Sequence, residues 1–399
     1  MKTTQPGPIY ATIAGFCLFA IAMCLARFAY APLIPSLINN DWVTKAEAGY
    51  LGAFNGLGYI VGCLVALWLP RITGIRLLMR SSLILAVIGI GMCFWNLGFA
   101  WLSIGRFIAG LAAAVMIIHT TALIVKSFSE NSKEKLLGFA ISGGGITTVI
   151  ISLSLPFFIV NGPSNGWLLE SVLTFFVGLI AWPFISKAPH QREPSKDLIQ
   201  PLEPRRGRLV LLTGISYMLM SISILPHTLF LTDYMHRDLG LSVSDSSSLF
   251  AILGLGCAFG AIFVGILTRL FGTRMSLFIS YIIGVSAIAM VLIFDSVTIV
   301  SSSSFLIGMS FFSAAALSSI RTLEIVGLSR HAHFWGFMAL GWGLGIGGGS
   351  YAMSVLLSLG FNYIDLFKMA QVILIFSLGL ILFSWWRYSD VPNFETIKQ

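Results

Sequence analysis

The sequence predicts an all-α integral membrane protein of twelve transmembrane helices, arranged as two pseudo-symmetric six-helix bundles. Three observations lead there. The composition is too apolar for a water-facing surface, twelve segments are long enough to cross a bilayer, and the two halves of the chain repeat one another. Of 399 residues, 57% are hydrophobic and only 10% charged, whereas an average soluble domain carries roughly 25% charged residues. An ordinary cytosolic enzyme, a disordered chain and a nucleic-acid binder are thereby excluded.

A helix rises about 1.5 Å per residue and the hydrocarbon layer is about 30 Å thick, so a span needs about 20 apolar residues. Such stretches run at 9–38, 46–69, 77–96, 99–126, 136–160, 167–186, 209–235, 243–268, 275–294, 297–325, 332–359 and 363–386. They are too long for barrel strands and do not alternate. The first is too long for a signal-peptide core and lacks a small-residue cleavage site, so it is expected to stay in the mature chain.

The placement of Lys and Arg orients these spans. With the N-terminus cytoplasmic, 19 of the 24 fall in inner segments and two, Lys45 and Arg237, in outer loops. Arg27, Arg106 and Lys368 lie within spans. This bias predicts a multi-pass inner-membrane protein with both termini in the cytoplasm. It also accounts for the net charge of +8 as an orientation signal facing anionic lipid rather than a patch for an acidic partner. Cys17, Cys24, Cys63, Cys93 and Cys257 all lie in spans without a CxxC pair and read as buried thiols.

The longest hydrophilic stretch, 187–208, is rich in Pro and charge and separates an N-terminal bundle (1–186) from a C-terminal one (209–399). At an offset of 198, residues 47–76 match 245–274 at ten of thirty positions, including four Gly and two Arg in order. Gly110 pairs with Gly308, and Gly138, Phe139, Gly143 and Gly145 pair with Gly336, Phe337, Gly341 and Gly343. Two such bundles place a site at their interface near the bilayer midplane, and rocking one against the other exposes it to each side in turn.

The loops Leu67-Trp-Leu-Pro-Arg71-Ile-Thr-Gly74-Ile-Arg76 and Gly265-Ile-Leu-Thr-Arg269-Leu-Phe-Gly272-Thr-Arg274 resemble the G-x-L-x-D-R-x-G-R-[RK] loop of the major facilitator superfamily. Arg106-Phe-Ile-Ala-Gly110 resembles that superfamily's R-x-x-x-G motif on helix 4. The run Arg27-Phe-Ala-Tyr-Ala-Pro-Leu-Ile-Pro35 is similar to a bacterial subgroup of facilitators, the YbfB/YjiJ type. The resemblance implies a secondary transporter whose helices 1, 4, 7 and 10 line the cavity. It also assigns gating to Arg71, Gly74, Arg76, Arg269, Gly272 and Arg274. Arg71 and Arg269 stand where the superfamily's loop has Asp, so its charge latch is not carried over.

Ionisable groups inside spans are costly and are functional candidates by default. Arg27 and Arg106 both fall in the outer half, and Glu47 and Glu170 near membrane surfaces, so no acid is expected deep in the first half. Two guanidinium forks without acidic partners point to an anion, with Tyr30, Asn55, His119, Tyr217, His227 and Trp342 as further substrate contacts. The bland reading is that each Arg braces the bundle. Pro226 should open a gap in helix 7, beside His227 and near Asp233, the candidates for proton coupling; pairing of Asp233 with Arg237 one turn on is the structural alternative. Arg321 and Glu324, three apart, form a gate latch or a local pair. Glu170 and Lys368, equivalent in the repeat, read as outer-interface residues. Gly343-Leu-Gly345-Ile-Gly347-Gly348 spells a dinucleotide fingerprint inside an apolar span, where it has no phosphate to bind. His331 and His333 alone are too few for a metal.

The function expected is alternating-access transport of a small organic solute, anionic or zwitterionic, with proton coupling, by a monomer without cofactor. The alternative is a drug efflux pump of the same fold. A membrane enzyme or a sensor would need clustered catalytic groups or a signalling domain that the sequence lacks.

Overall fold

The structure is a computed structural model that describes residues 7–125, 133–187 and 202–388. Most of the predicted linker, and Lys2, Lys126, Arg192, Lys196 and Lys398 among the orienting cations, lie outside the described residues. Among the described residues, ten helices are long and apolar enough to cross a membrane. One of them, Val243–Ile293, is broken at Gly272 into two, and Leu328–Ser358 completes twelve. We name them α1 (Pro8–Asn39), α2 (Lys45–Trp68), α3 (Ile75–Met92), α4 (Phe99–Val125), α5 (Lys133–Ile159), α6 (Pro163–Ser186), α7 (Pro204–Arg237), α8 (243–271), α9 (273–293), α10 (Val297–Val326), α11 (Leu328–Ser358) and α12 (Tyr363–Arg387). Large apolar side chains such as Phe157, Phe176, Val372 and Trp386 point outward, as they must where the surrounding solvent is lipid.

The repeat seen in the sequence recurs in the packing. A Cβ on Gly58 would collide with the Phe107 carbonyl, and a Cβ on Gly256 with the Phe305 carbonyl, 198 residues on. The absent side chains let α2 press on α4, and α8 on α10, backbone to backbone. The motif loops repeat too: Gly74 (φ 81°, ψ 152°) and Gly272 (φ 71°, ψ 165°) share a left-handed backbone conformation that L side chains resist.

Both halves break their first helix at equivalent points. Ala26 (φ −78°, ψ −11°) ends a π-helical turn in α1, and Ile224 (φ −81°, ψ −10°) precedes one in α7. The causes differ locally. Pro32 lacks an N–H and its ring crowds the carbonyl four residues back, so α1 relaxes into a 3-10 segment over Phe28–Leu33. In α7, Pro226 opens the π turn Pro226–Phe230.

The halves meet unevenly. α2 packs on α11 and α5 on α8, from Gly49 beside Ser354 at one end to Gly336 beside Leu67 at the other. Beyond their breaks, α1 and α7 also pack together on the side away from the termini. There Thr232 Oγ1 donates to the Ala31 carbonyl (2.5 Å) and Ser247 Oγ to the Pro32 carbonyl (2.8 Å). On the terminal side, α1 and α4 make no comparable packing against α7 and α10. The seam is sealed at one face of the membrane and parted at the other.

Candidate functional site

The break in α1 is what presents Arg27. Its backbone (φ −137°, ψ −69°) leaves the helix, and its half-buried side chain lies over Tyr59 of α2, 4.9 Å from the ring centre, with Phe28 at 5.8 Å. The next residue, Phe28, reaches Phe311 of α10 in the other half, which places this turn of α1 at the seam. Aromatic rings continue across that seam. Phe28 meets Phe311 of α10 at 5.8 Å, Phe311 meets Trp342 of α11 at 6.3 Å, and Trp342 lies tilted against Tyr217 at 4.5 Å. Among the described residues no carboxylate pairs with Arg27. A cationic fork thus stands at one end of an aromatic box built from both halves, in which Tyr217 and Trp342 lie together. Tyr59, Phe28 and Phe311 were not expected; their only sequence signal is helical spacing on aromatic-rich spans.

Asn55 supports the break. Its Nδ2 donates to the Ala26 carbonyl (3.0 Å) and to the Arg106 carbonyl (2.9 Å), filling a carbonyl that the distorted helix leaves open. Both of its donor protons are spent on these carbonyls, so it positions Arg27 rather than offering them to a solute.

Arg106 does not share Arg27's surroundings. It is 2% exposed inside the first half, with its guanidinium 4.5 Å from the ring centre of Tyr30 and 5.9 Å from that of Trp167. Tyr30 is held there by donating to the Ala48 carbonyl (2.9 Å). Glu170 lies in the same cluster and is fully buried. This corrects the expectation of an outer-interface residue: α6 turns Glu170 inward, while Lys368, its partner in the repeat, is exposed and pairs with Asp365 at 2.9 Å. A single charged residue on an apolar helix does not reveal which face it is on.

His119 is buried and its Nε2 contacts the Ala66 carbonyl at 3.1 Å, between α4 and α2. His227 is enclosed in the second half, 2.7 Å from Ser303 Oγ and edge-on to Phe367 at 5.0 Å. Since Ser303 spends its one proton on the Ala287 carbonyl (2.6 Å), it accepts from His227 Nε2–H, and the imidazole is neutral with a bare Nδ1. Asp233 is fully buried at the sealed face. It accepts from Arg237 Nε (3.1 and 3.0 Å) and from Tyr363 Oη (2.5 Å). The structural alternative for Asp233 is therefore what the geometry displays.

Of the expected gating residues, Arg71 lies over Trp68 at 5.1 Å. Arg321 donates to Glu324 (2.8 Å), whose other oxygen accepts from Thr273 Oγ1 (2.5 Å) beside the Gly272 break and Arg274. These bonds join α10 to the α8–α9 corner within one half. Arg76, Arg269 and Arg274 each have partners.

Two six-helix halves, a seam closed at one face and a polar site midway are the frame of a polytopic membrane transporter. The chain belongs to the family described as "Uncharacterised MFS-type transporter YbfB", whose model matches residues 19–382. Its fold is similar to that of a bacterial homologue of the human lysosomal transporter Spinster. That protein's inward-facing unoccupied structure aligns with a TM-score of 0.70 at 15% identity, covering 98% of this chain and 99% of that one. Its inward-facing occupied structure aligns with a TM-score of 0.71 at 16% identity over the same shares. No curated protein matches the sequence.

Proposed function

We propose that the protein carries an organic anion with an apolar or aromatic body, a carboxylate in the simplest case, by alternating access across the cytoplasmic membrane. The observation that carries this is Arg27: among the described residues a half-buried guanidinium without a carboxylate partner, over the rings of Tyr59 and Phe28, from which Phe311, Trp342 and Tyr217 continue into the other half. A guanidinium grips a carboxylate through two parallel N–H donors, and the rings accommodate the rest of the solute. With both termini cytoplasmic, as the Lys and Arg bias favours, the parted seam faces the cytoplasm. The working unit is a monomer, since each half completes the other's site.

Efflux of organic cations is the competing reading and calls for an acid on the seam. Glu170 is an acid in the first half, but it is fully enclosed and offers no surface to a solute. The test is uptake of labelled benzoate, aliphatic acids, amino acids and organic cations into proteoliposomes under an imposed pH gradient. Arg27→Ala should abolish acid uptake while the protein stays folded and monodisperse, and Arg27→Lys should retain part of it. Transport of cations with every acid rejected would refute the proposal.

A further inference from the structure

The cluster around Arg106 has no part in holding the solute, yet it contains the most unsatisfied groups in the first half. Arg106 Nε and Nη1, Trp167 Nε1 and both carboxyl oxygens of Glu170 are buried without a hydrogen-bond partner. The second half has no counterpart. At the equivalent positions stand Ser304, whose hydroxyl is satisfied by the Val300 carbonyl (2.8 Å), and Lys368, which is exposed. The fold therefore does not require the pair.

We propose that Glu170, balanced against Arg106, is the carboxyl that carries a proton through the transport cycle. The inference rests on the reading of Arg27 as the anion site, and it assigns the coupling to a residue outside that site.

Among the described residues, Glu170 stands one turn beyond Trp167, whose ring lies 5.9 Å from the Arg106 guanidinium on α4. Cys93 at the end of α3 packs against Gly105 beside Arg106, Cys24 of α1 is the other buried thiol near it, and Tyr30 of α1 lies over Arg106. Arg106 is the one cation among them. An ionised carboxylate without hydrogen bonds in a dry interior is expensive and persists only through a nearby opposite charge. Arg106 supplies that charge without a hydrogen bond to hold it. A bidentate contact would lock the pair ionised; its absence leaves protonation of Glu170 accessible. When Glu170 is protonated, the guanidinium keeps its charge because the faces of Tyr30 and Trp167 cover it.

Asn55 ties the carbonyl of Ala26, next to Arg27, to the carbonyl of Arg106, so the two cations stand close enough in a low-dielectric interior for one to add to the field of the other. With Glu170 ionised, the two buried charges offset each other, and Arg27 alone attracts an anion. With a proton on a Glu170 oxygen, the Arg106 charge adds to the field at Arg27, and anion affinity rises. Linkage makes this reciprocal: a bound anion holds the proton on Glu170. Proton and anion then cross together and leave together.

The deciding measurement needs no solute. Infrared difference spectra of the purified full-length protein, taken across a pH titration, should show a buried carboxylic C=O band in the wild type that is missing in Glu170→Gln. Glu170→Asp should move the band rather than delete it, and it serves if the Gln variant does not fold. Identical titrating bands in wild type and variant overturn the proposal whatever the solute proves to be.

Benzoate binding then tests the coupling. Wild-type affinity should rise about fivefold or more on acidification, a typical size for coupled sites, and Glu170→Gln should stay at the high value at every pH. A Glu170→Gln affinity that keeps the wild-type pH profile also overturns it. If Arg27→Ala leaves benzoate binding intact, the anion-site reading fails, while the infrared result still decides the fate of Glu170 as a proton site.

Discussion

Arg237 of α7 donates through Nη2 to Asn39 Oδ1 at the end of α1, a 2.8 Å hydrogen bond that joins the two halves at the sealed face. Its Nε meanwhile holds Asp233, and Asn39 Nδ2 meets His236 Nε2 at 3.0 Å. His236 Nδ1 donates to the Leu241 carbonyl (2.7 Å), so in the neutral ring Nε2 is bare and accepts from Asn39. One asparagine thus uses its acceptor and its donor on two residues of the opposite half.

Asn39→Ala removes both bonds at an exposed position, where each is worth at most about 1 kcal/mol. The closed outer face should lose about fivefold in population. Asp233→Asn acts on a buried acid that accepts from Arg237 and Tyr363, and hydrogen bonds to charged groups are worth about 1.5–3 kcal/mol. Both bonds lie within the second half and reach the closed face only by orienting Arg237 toward Asn39, so the population shift should be no larger than that of Asn39→Ala, while the second half itself loses stability. Distances between spin labels on the outer ends of α1 and α7 check both. Equal populations in the wild type and Asn39→Ala would show that the cluster is decoration.

The buried bonds beneath this cluster predict an effect of similar size per hydrogen bond. Thr232→Val takes the side-chain donor from the Ala31 carbonyl, which keeps the Ile34 N–H, and Ser247→Ala takes the side-chain donor from the Pro32 carbonyl. A hydrogen bond of this kind is worth about 0.5–1.5 kcal/mol. Because both bonds cross between halves, the cost should fall on the closed outer face and not on either bundle alone. Label distances across the seam should lengthen while each half keeps its protection from hydrogen exchange.

The architecture was legible in the sequence because bilayer thickness and backbone satisfaction leave few solutions, and the offset of 198 read the repeat residue by residue: Gly58 and Gly256 do press on equivalent carbonyls. Arg27 was legible as a charge in a span. Its separation from Arg106 was not, because the π and 3-10 turns of α1 rotate the chain by an amount that helical periodicity does not contain. Glu170 was misplaced for a related reason: depth follows from counting residues, but the face of α6 follows from its neighbours. Tyr59, Phe28 and Phe311 escaped notice because they lie on three helices far apart in sequence.

The glycine contacts give a test of the packing that is independent of function. Gly58→Ala and Gly256→Ala each push a methyl group into a backbone carbonyl, which cannot swing aside as a side chain would. Overpacking of this kind costs about 1–3 kcal/mol, so both variants should melt several degrees lower in detergent. Gly265→Ala, on the same helix as Gly256 with nothing within 4 Å of the added carbon, should leave the melting temperature near wild type. A similar loss in all three would mean that the helices do not approach as described.

Asn55 separates bracing from binding. Its amide gives one proton to the Ala26 carbonyl and the other to the Arg106 carbonyl, and so ties the α1 break to α4. Asn55→Ala strands the Ala26 carbonyl and should cost about 1–3 kcal/mol. Asn55→Asp should cost more, because it sets an acceptor against two acceptors in a buried place. Leu, the residue at the equivalent position 253 of the second half, would fill the space of the amide without restoring a bond to Ala26. If Asn55 positions Arg27, both Asn55→Ala and Asn55→Leu should raise the KM for a transported acid more than they lower the maximal rate. Thermal stability should fall less in the Leu variant, since the cavity is filled. A direct contact with solute predicts the opposite separation, with uptake collapsing in both variants while the melting temperature of the Leu protein is unchanged.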